Sequence, residues 1–194
     1  VWWKSIREDV KKWIASCMLC QARKGGNRNY IPTIPKYVDE PLDTVSLDLM
    51  GPFKESEDGS VYCFTIIDCF SRFLVLVPIQ DKSARTIADN LHDEWIVIFG
   101  CPRRILTDRG LEFHNELLQC LLKKLGVEKV MTSAYHPQTN AQVERVHSFI
   151  AATLTMFVCD ELTDWSRYLR AVMFVYNSSP IDALKVSPYE ILFG

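Results

Sequence analysis

The chain has 194 residues, 48% hydrophobic and 24% charged, enough for one sizeable core with a small appendage and short of two full domains. That balance, without a low-complexity run, excludes a disordered chain, and no stretch of eighteen uncharged apolar residues suggests a membrane span. A net charge of −2 argues by itself against a polyanion partner, but its distribution reverses the argument. Eight Lys/Arg in residues 1–36 face only Glu8 and Asp9, a net +6 that leaves −8 for the rest. A basic arm on an acidic body suits polyanion binding by the arm and cation binding by the body, although a solvated basic helix face gives the same charge. The seven cysteines, an odd number set mostly in apolar runs, point to a reducing compartment, cytosol or nucleus. No secretory leader is indicated, and the opening Val1 in place of Met reads as part of something longer.

Residues 1–16 read as the tail of an amphipathic helix, with Trp3, Ile6, Val10, Trp13 and Ile14 spaced by three and four. Cys17 and Cys20 follow at C-x-x-C spacing, half of a zinc ligand set, and the residues alone read better as two packed cysteines at a helix end. Residues 25–41 hold three prolines and no period, which marks a linker between residues 1–24 and a body over 42–194.

The body opens with three closely spaced apolar runs, Asp43–Met50, Val61–Asp68 and Phe73–Ile79, which predict an antiparallel meander with Asp48 in a central strand. Ser83 caps a helix with Ile87, Leu91, Trp95 and Ile98 on its apolar face. A strand over Arg104–Thr107 delivers Asp108 at its tip, before Gly110. A helix carrying Leu118, Leu121, Leu122 and Leu125 closes at Gly126, and a short strand around Val127–Thr132 leads to a loop over Ser133–Thr139. Two helices follow, Gln142–Val158 and Asp164–Tyr176, with Trp165 and Tyr176 read as core. In the first, Val143, Val146, Ile150, Leu154 and Phe157 form the buried stripe, and Glu144 shares another face with His147, Ser148 and Ala151. The order predicts an α/β domain, a mixed five-stranded sheet with helices on both faces.

Asp48 and Asp108 lie in or at the end of apolar strands, and Glu144 lies on a helix, with 35 residues between it and Asp108. Half-buried carboxylates repel one another unless a cation lies between them. Oxygen ligands without a Cys/His cluster select Mg²⁺ or Mn²⁺, and two such ions about 3.5–4 Å apart serve phosphoryl transfer. Asp48 is the expected bridging ligand, with Asp108 and Glu144 completing one side each. Asp68, which ends the second strand, suits a structural hydrogen-bonding role better than that of a fourth ligand. His92 and His114 read as helix-face or capping residues.

Several stretches together resemble the integrases of retroviruses and, more closely, of gypsy-type LTR retrotransposons, members of the DDE recombinase superfamily with a ribonuclease-H-like fold. They are Asp48-Leu-Met-Gly-Pro, Asp68-Cys-Phe-Ser-Arg-Phe, Thr107-Asp-Arg-Gly-Leu-Glu-Phe, Tyr135-His-Pro-Gln-Thr-Asn, Gln142-Val-Glu-Arg, Tyr176-Asn and Ser187-Pro-Tyr-Glu-Ile-Leu-Phe-Gly. The resemblance implies a polynucleotidyl transferase with Asp48, Asp108 and Glu144 as its catalytic, metal-binding triad. Such an enzyme trims the 3′ ends of a linear retroelement DNA and joins them to target DNA. It further implies DNA as partner, a homo-oligomer, action in the nucleus after synthesis in the cytoplasm, and no membrane. Residues 1–24 resemble the end of the family's His-His-Cys-Cys domain, with Cys17 and Cys20 as its cysteine pair, so Zn²⁺ is expected only with histidines upstream. Tyr135, His136, Gln138, Asn140, Arg145 and His147 are the expected DNA contacts.

Two departures stand out: Ala141 where the family usually has glycine, and Ser148 and Ala151 on a face that usually carries basic residues. They leave room for a domesticated integrase-derived module that binds DNA or protein with little or no catalysis. A ribonuclease-H-type hydrolase is a third reading, and it fits the terminal-helix pattern less well.

Overall fold

The computed structural model describes residues 2–17, 38, 40–108, 110, 113, 115–131, 146–155, 164–181 and 184–194. The chain divides into two compact units, Val1–Ile31 and Pro32–Gly194. In the first, helix α1 (Ile6–Ser16) starts where the Trp3 indole N–H and the Ser5 hydroxyl both donate to Asp9 Oδ2, at 2.7 and 2.8 Å. None of its residues is buried, and Trp2 and Trp13 are 80% and 72% exposed.

The second unit is built on a five-stranded sheet of β1 (Thr44–Met50), β2 (Tyr62–Asp68), β3 (Leu74–Ile79), β4 (Arg104–Thr107) and β5 (Glu128–Met131). Its spatial order is β3-β2-β1-β4-β5. β1, β2 and β3 form the antiparallel meander, while β4 and β5 run parallel to β1. β1 is therefore central, and its carboxyl end points the same way as those of β4 and β5. This is the mixed sheet that the resemblance to ribonuclease-H-like proteins implies.

Alternation along β1 sends Val45 and Leu47 to one face and Ser46 and Asp48 to the other. On the first face Val45, Leu47, Phe64, Ile66 and Ile105 pack against helices α2 and α3. α2 begins as Ala84–Leu91, with Ser83 Oγ accepting from the Thr86 N–H at its start. It widens into a π-helical turn over His92–Ile96 and ends as Val97–Phe99. That turn holds an extra residue, so the buried face passes from Trp95 to Phe99, whose rings are 4.7 Å apart. Ile98, expected on the apolar face, is 60% exposed. α3 (Glu116–Lys124) is capped by Asn115, whose Oδ1 accepts from the Leu118 N–H at 2.8 Å.

The opposite face is covered by α4 (residues 146–155) and α5 (Trp165–Ser178). Val146, Ile150 and Leu154 of α4 and Trp165, Leu169 and Val172 of α5 pack with Cys63, Ile67, Leu74 and Leu76. α5 also covers the outer edge of β3. Leu74 N–H donates to Asn177 Oδ1 at 2.9 Å, Asn177 Nδ2 returns a bond to Leu74 O at 2.8 Å, and Leu76 N–H donates to Met173 Sδ. An edge strand left bare would present unpaired amides to other chains, and Asn177 supplies the missing pairing. Helix α6 (Pro188–Phe193) follows, started by a reciprocal Ser187–Glu190 capping box.

Candidate active site

The parallel ladder between β1 and β4 ends at the pair Leu47–Thr107. Asp48 and Asp108 are each the next residue, on strands that in such a ladder run about 4.8 Å apart. Asp48 lies on the α4–α5 face, opposite Thr65 of β2, and its side chain is 24% exposed. Alternation beyond Leu106 assigns Asp108 to that face too. Asp108 is exposed, and its Oδ1 accepts from the Gly110 N–H at 2.8 Å, which turns the chain away from the strand. Asp48 Oδ1 accepts from the Leu49 N–H, also at 2.8 Å. The carboxyl end of the sheet thus carries two adjacent carboxylates, one half-buried and one open to solvent.

A third polar group enters from α4. His147 Nε2 lies 3.5 Å from Asp48 Oδ2, and the His147 side chain is 23% exposed. Ser148 and Ala151, grouped with it in sequence, face solvent. Burial lowers the His147 pKa below its ordinary value.

Two carboxylates side by side make a donor set suited to a hard divalent cation. Among the described residues no three His, Cys, Asp or Glu gather into a metal-binding group. Glu144 lies outside the described residues, as do Tyr135, His136, Gln138, Asn140, Arg145, His114 and Cys20. Cys17 is half-buried, just after α1.

A family model for the integrase core domain matches residues 38–137, and one for the integrase zinc binding domain matches residues 1–26. The chain belongs to the integrase core domain family. Among curated relatives, the retrovirus-related Pol polyprotein from transposon 412 of Drosophila melanogaster is 30% identical over 194 residues. That alignment takes in all of this chain and 16% of the polyprotein. Gypsy retrotransposon integrase-like protein 1 of Bos taurus is 31% identical over 197 residues, all of this chain and 38% of that protein. The chain therefore spans well under half the length of these relatives. Among solved structures, the HTLV-2 integrase catalytic core domain in complex with magnesium superposes with a TM-score of 0.65 at 14% identity, covering 78% of this chain and 97% of that one. An integrase chain of the simian T-cell lymphotropic virus intasome superposes at 0.69 and 14% identity, covering 96% and 66%. At that identity the superpositions establish the fold, retroviral-integrase-like and hence ribonuclease-H-like. Family membership supports polynucleotidyl transfer in DNA integration as the general role.

Other polar residues of the integrase core have structural work. Asp68, fully buried, accepts from the Leu42 N–H through Oδ1, and from the Ser71 N–H and hydroxyl through Oδ2 at 2.7 and 2.6 Å. Oδ2 is taken up in the turn between β2 and β3 and Oδ1 by the segment before β1, as expected of a structural carboxylate. His92, exposed on α2, pairs its Nδ1 with Asp93. Trp165 is buried, with its indole N–H donating to Lys54 O, whereas Tyr176 is only half-buried. Lys129 of β5 had no signal in sequence. Its ammonium donates to the Phe113 carbonyl, pinning the segment that follows Asp108.

Proposed function

We propose that this chain is the catalytic part of a magnesium- or manganese-dependent integrase that trims the 3′ ends of a linear retroelement DNA and joins them to target DNA. The observation that carries the reading is the placement of Asp48 and Asp108, side by side at the carboxyl ends of neighbouring parallel strands. Glu144 is the proposed third member of the triad, on the strength of the Gln142-Val-Glu-Arg stretch and the 35 residues between it and Asp108. Asp48, Asp108 and Glu144 would hold two divalent ions, which when bound supply the charge stabilisation needed for in-line displacement at phosphorus. The residues' own part is to fix that charge at the sheet's carboxyl end: Leu49 N–H orients Asp48, and Gly110 N–H orients Asp108.

Tyr135, His136, Gln138, Asn140 and Arg145 are the proposed DNA-end contacts, with Arg145 meeting phosphate and the others positioning bases and sugars. Residues 1–24 are the proposed end of a zinc domain in which Cys17 and Cys20 join two upstream histidines, residues 25–41 its linker, and 42–194 the core. The proposed assembly is a homo-oligomer working on DNA in the nucleus.

The test is strand transfer of labelled terminal-repeat DNA with magnesium, with Asp108→Asn beside the unaltered protein. The reading expects joined product only from the unaltered protein. Equal product from both removes the assignment, and DNA binding without product from either favours a domesticated binding module.

A further inference from the structure

The proposed function makes Asp48 a metal ligand, so the orientation of its carboxylate matters to the site. One oxygen is already fixed, since Oδ1 accepts from the Leu49 N–H at 2.8 Å. The other faces His147 across 3.5 Å. His147 Nε2 is buried and has no hydrogen-bond partner. A buried ring nitrogen without a partner is costly, and Asp48 Oδ2 lies beside this one. The ring is also held in place, because Val146 and Ile150 on either side of it are buried against the sheet.

We infer that His147 is a positioning residue, whose Nε2–H donates to Asp48 Oδ2 and fixes the carboxylate for cation binding rather than contacting DNA. With a proton on Nε2, His147 offers a donor to Oδ2 as the Leu49 N–H does to Oδ1. Each oxygen keeps lone pairs for a cation. The 3.5 Å separation is longer than a closed hydrogen bond, as is common in catalytic sites without their ligands, and a shift of about half an ångström closes it. Groups that orient metal ligands from behind typically affect metal affinity about 10–100-fold.

This inference rests on the reading of Asp48 as a metal ligand, so its experiment includes a control for that reading. Manganese binding is measured by titration calorimetry on the unaltered chain, His147→Phe, His147→Gln and Asp48→Asn, with a thermal melt of each to show that it is folded. His147→Phe keeps the ring volume and loses the donor, whereas His147→Gln returns an N–H to nearly the same place. The expected result is at least about a tenfold loss of affinity in His147→Phe and recovery to within about threefold in His147→Gln. The concentration of DNA giving half-maximal strand transfer should stay unchanged in both. Unaltered manganese affinity in His147→Phe, or a selective change in DNA affinity, overturns the inference. If Asp48→Asn binds manganese like the unaltered chain, the proposed metal site itself has failed.

Discussion

Asp48 and Asp108 are sequence-distant neighbours: each stands one residue past the Leu47–Thr107 pair that closes the parallel ladder between β1 and β4. Sixty residues of chain separate them, yet two adjacent strands of one sheet deliver both carboxylates to the same end. Open α/β sheets concentrate their sites at that end, because several strand tips meet there. The further consequences of this placement are open to measurement.

The other end of the same two strands is clamped by an ion pair. Arg104 donates to Asp43 Oδ2 at 2.7 Å, with the two side chains only 19% and 14% exposed. The Arg104 hydrogen bond, with help from Thr44 and against the opposing effect of burial, holds the Asp43 pKa below its ordinary value. A carboxylate whose pKa is lowered on folding stabilises the fold above its unfolded pKa, and the benefit is lost as pH falls through the folded value. Asp43→Asn should therefore cost about 1.5–3 kcal/mol at pH 7. The difference from the unaltered protein should shrink in urea titrations run from about pH 5 downward.

Asn177 closes the outer edge of β3 with two hydrogen bonds to Leu74, at 2.9 and 2.8 Å. Asn177→Leu fills comparable space and removes both. It leaves a buried N–H and a buried carbonyl unpaired, at about 1–3 kcal/mol each. Chemical denaturation should show this loss.

Gly51 leaves β1 three residues after Asp48 with φ +128°, and a Cβ there would lie 2.8 Å from Val61 O and 3.0 Å from Tyr62 Cδ1. Neither the backbone conformation nor the space suits any other residue. Gly51→Ala should destabilise the fold by at least about 1–2 kcal/mol and shift the tip of β1. A lowered melting temperature together with weakened manganese binding would report both effects.

Thiol reactivity separates core from surface. Cys63 and Cys69 are buried, and burial pushes both thiols up to about 12. Cys101 and Cys120 are exposed. In the native protein at pH 8 an alkylating reagent followed by peptide mass spectrometry should label Cys101 and Cys120. Cys63 and Cys69 should react only after unfolding, because a thiolate is the reactive form.

Much of this architecture is legible in the sequence because local signals agree with it. The runs around Leu47, Ile66 and Leu76 alternate or stay apolar at strand length, and Ser83 sits where a helix cap is needed. Gly126 has the positive φ of a helix stop. The neighbouring positions of Asp48 and Asp108 are legible for a related reason, since the first is an acid within an apolar run and the second directly follows one. What escapes the sequence depends on contacts between distant segments. The π-helical turn of α2 that exposes Ile98 has no compositional mark. The closure of β3 by Asn177, the Lys129 bond to the Phe113 carbonyl and the approach of His147 to Asp48 each need three-dimensional placement. His147 is the clearest case: helical spacing groups it with Ser148 and Ala151, yet the packing of Val146 and Ile150 turns it toward the sheet while those two face solvent.

The central claim is that Asp48 and Asp108 serve one cation site, and a double-mutant cycle on manganese affinity tests it most directly. The account predicts that Asp48→Asn and Asp108→Asn each weaken binding by at least about tenfold, and that the double variant loses clearly less than the product of the two single losses, since both act on the same ions. Manganese affinity unchanged in either single variant, or losses that multiply independently, would contradict it.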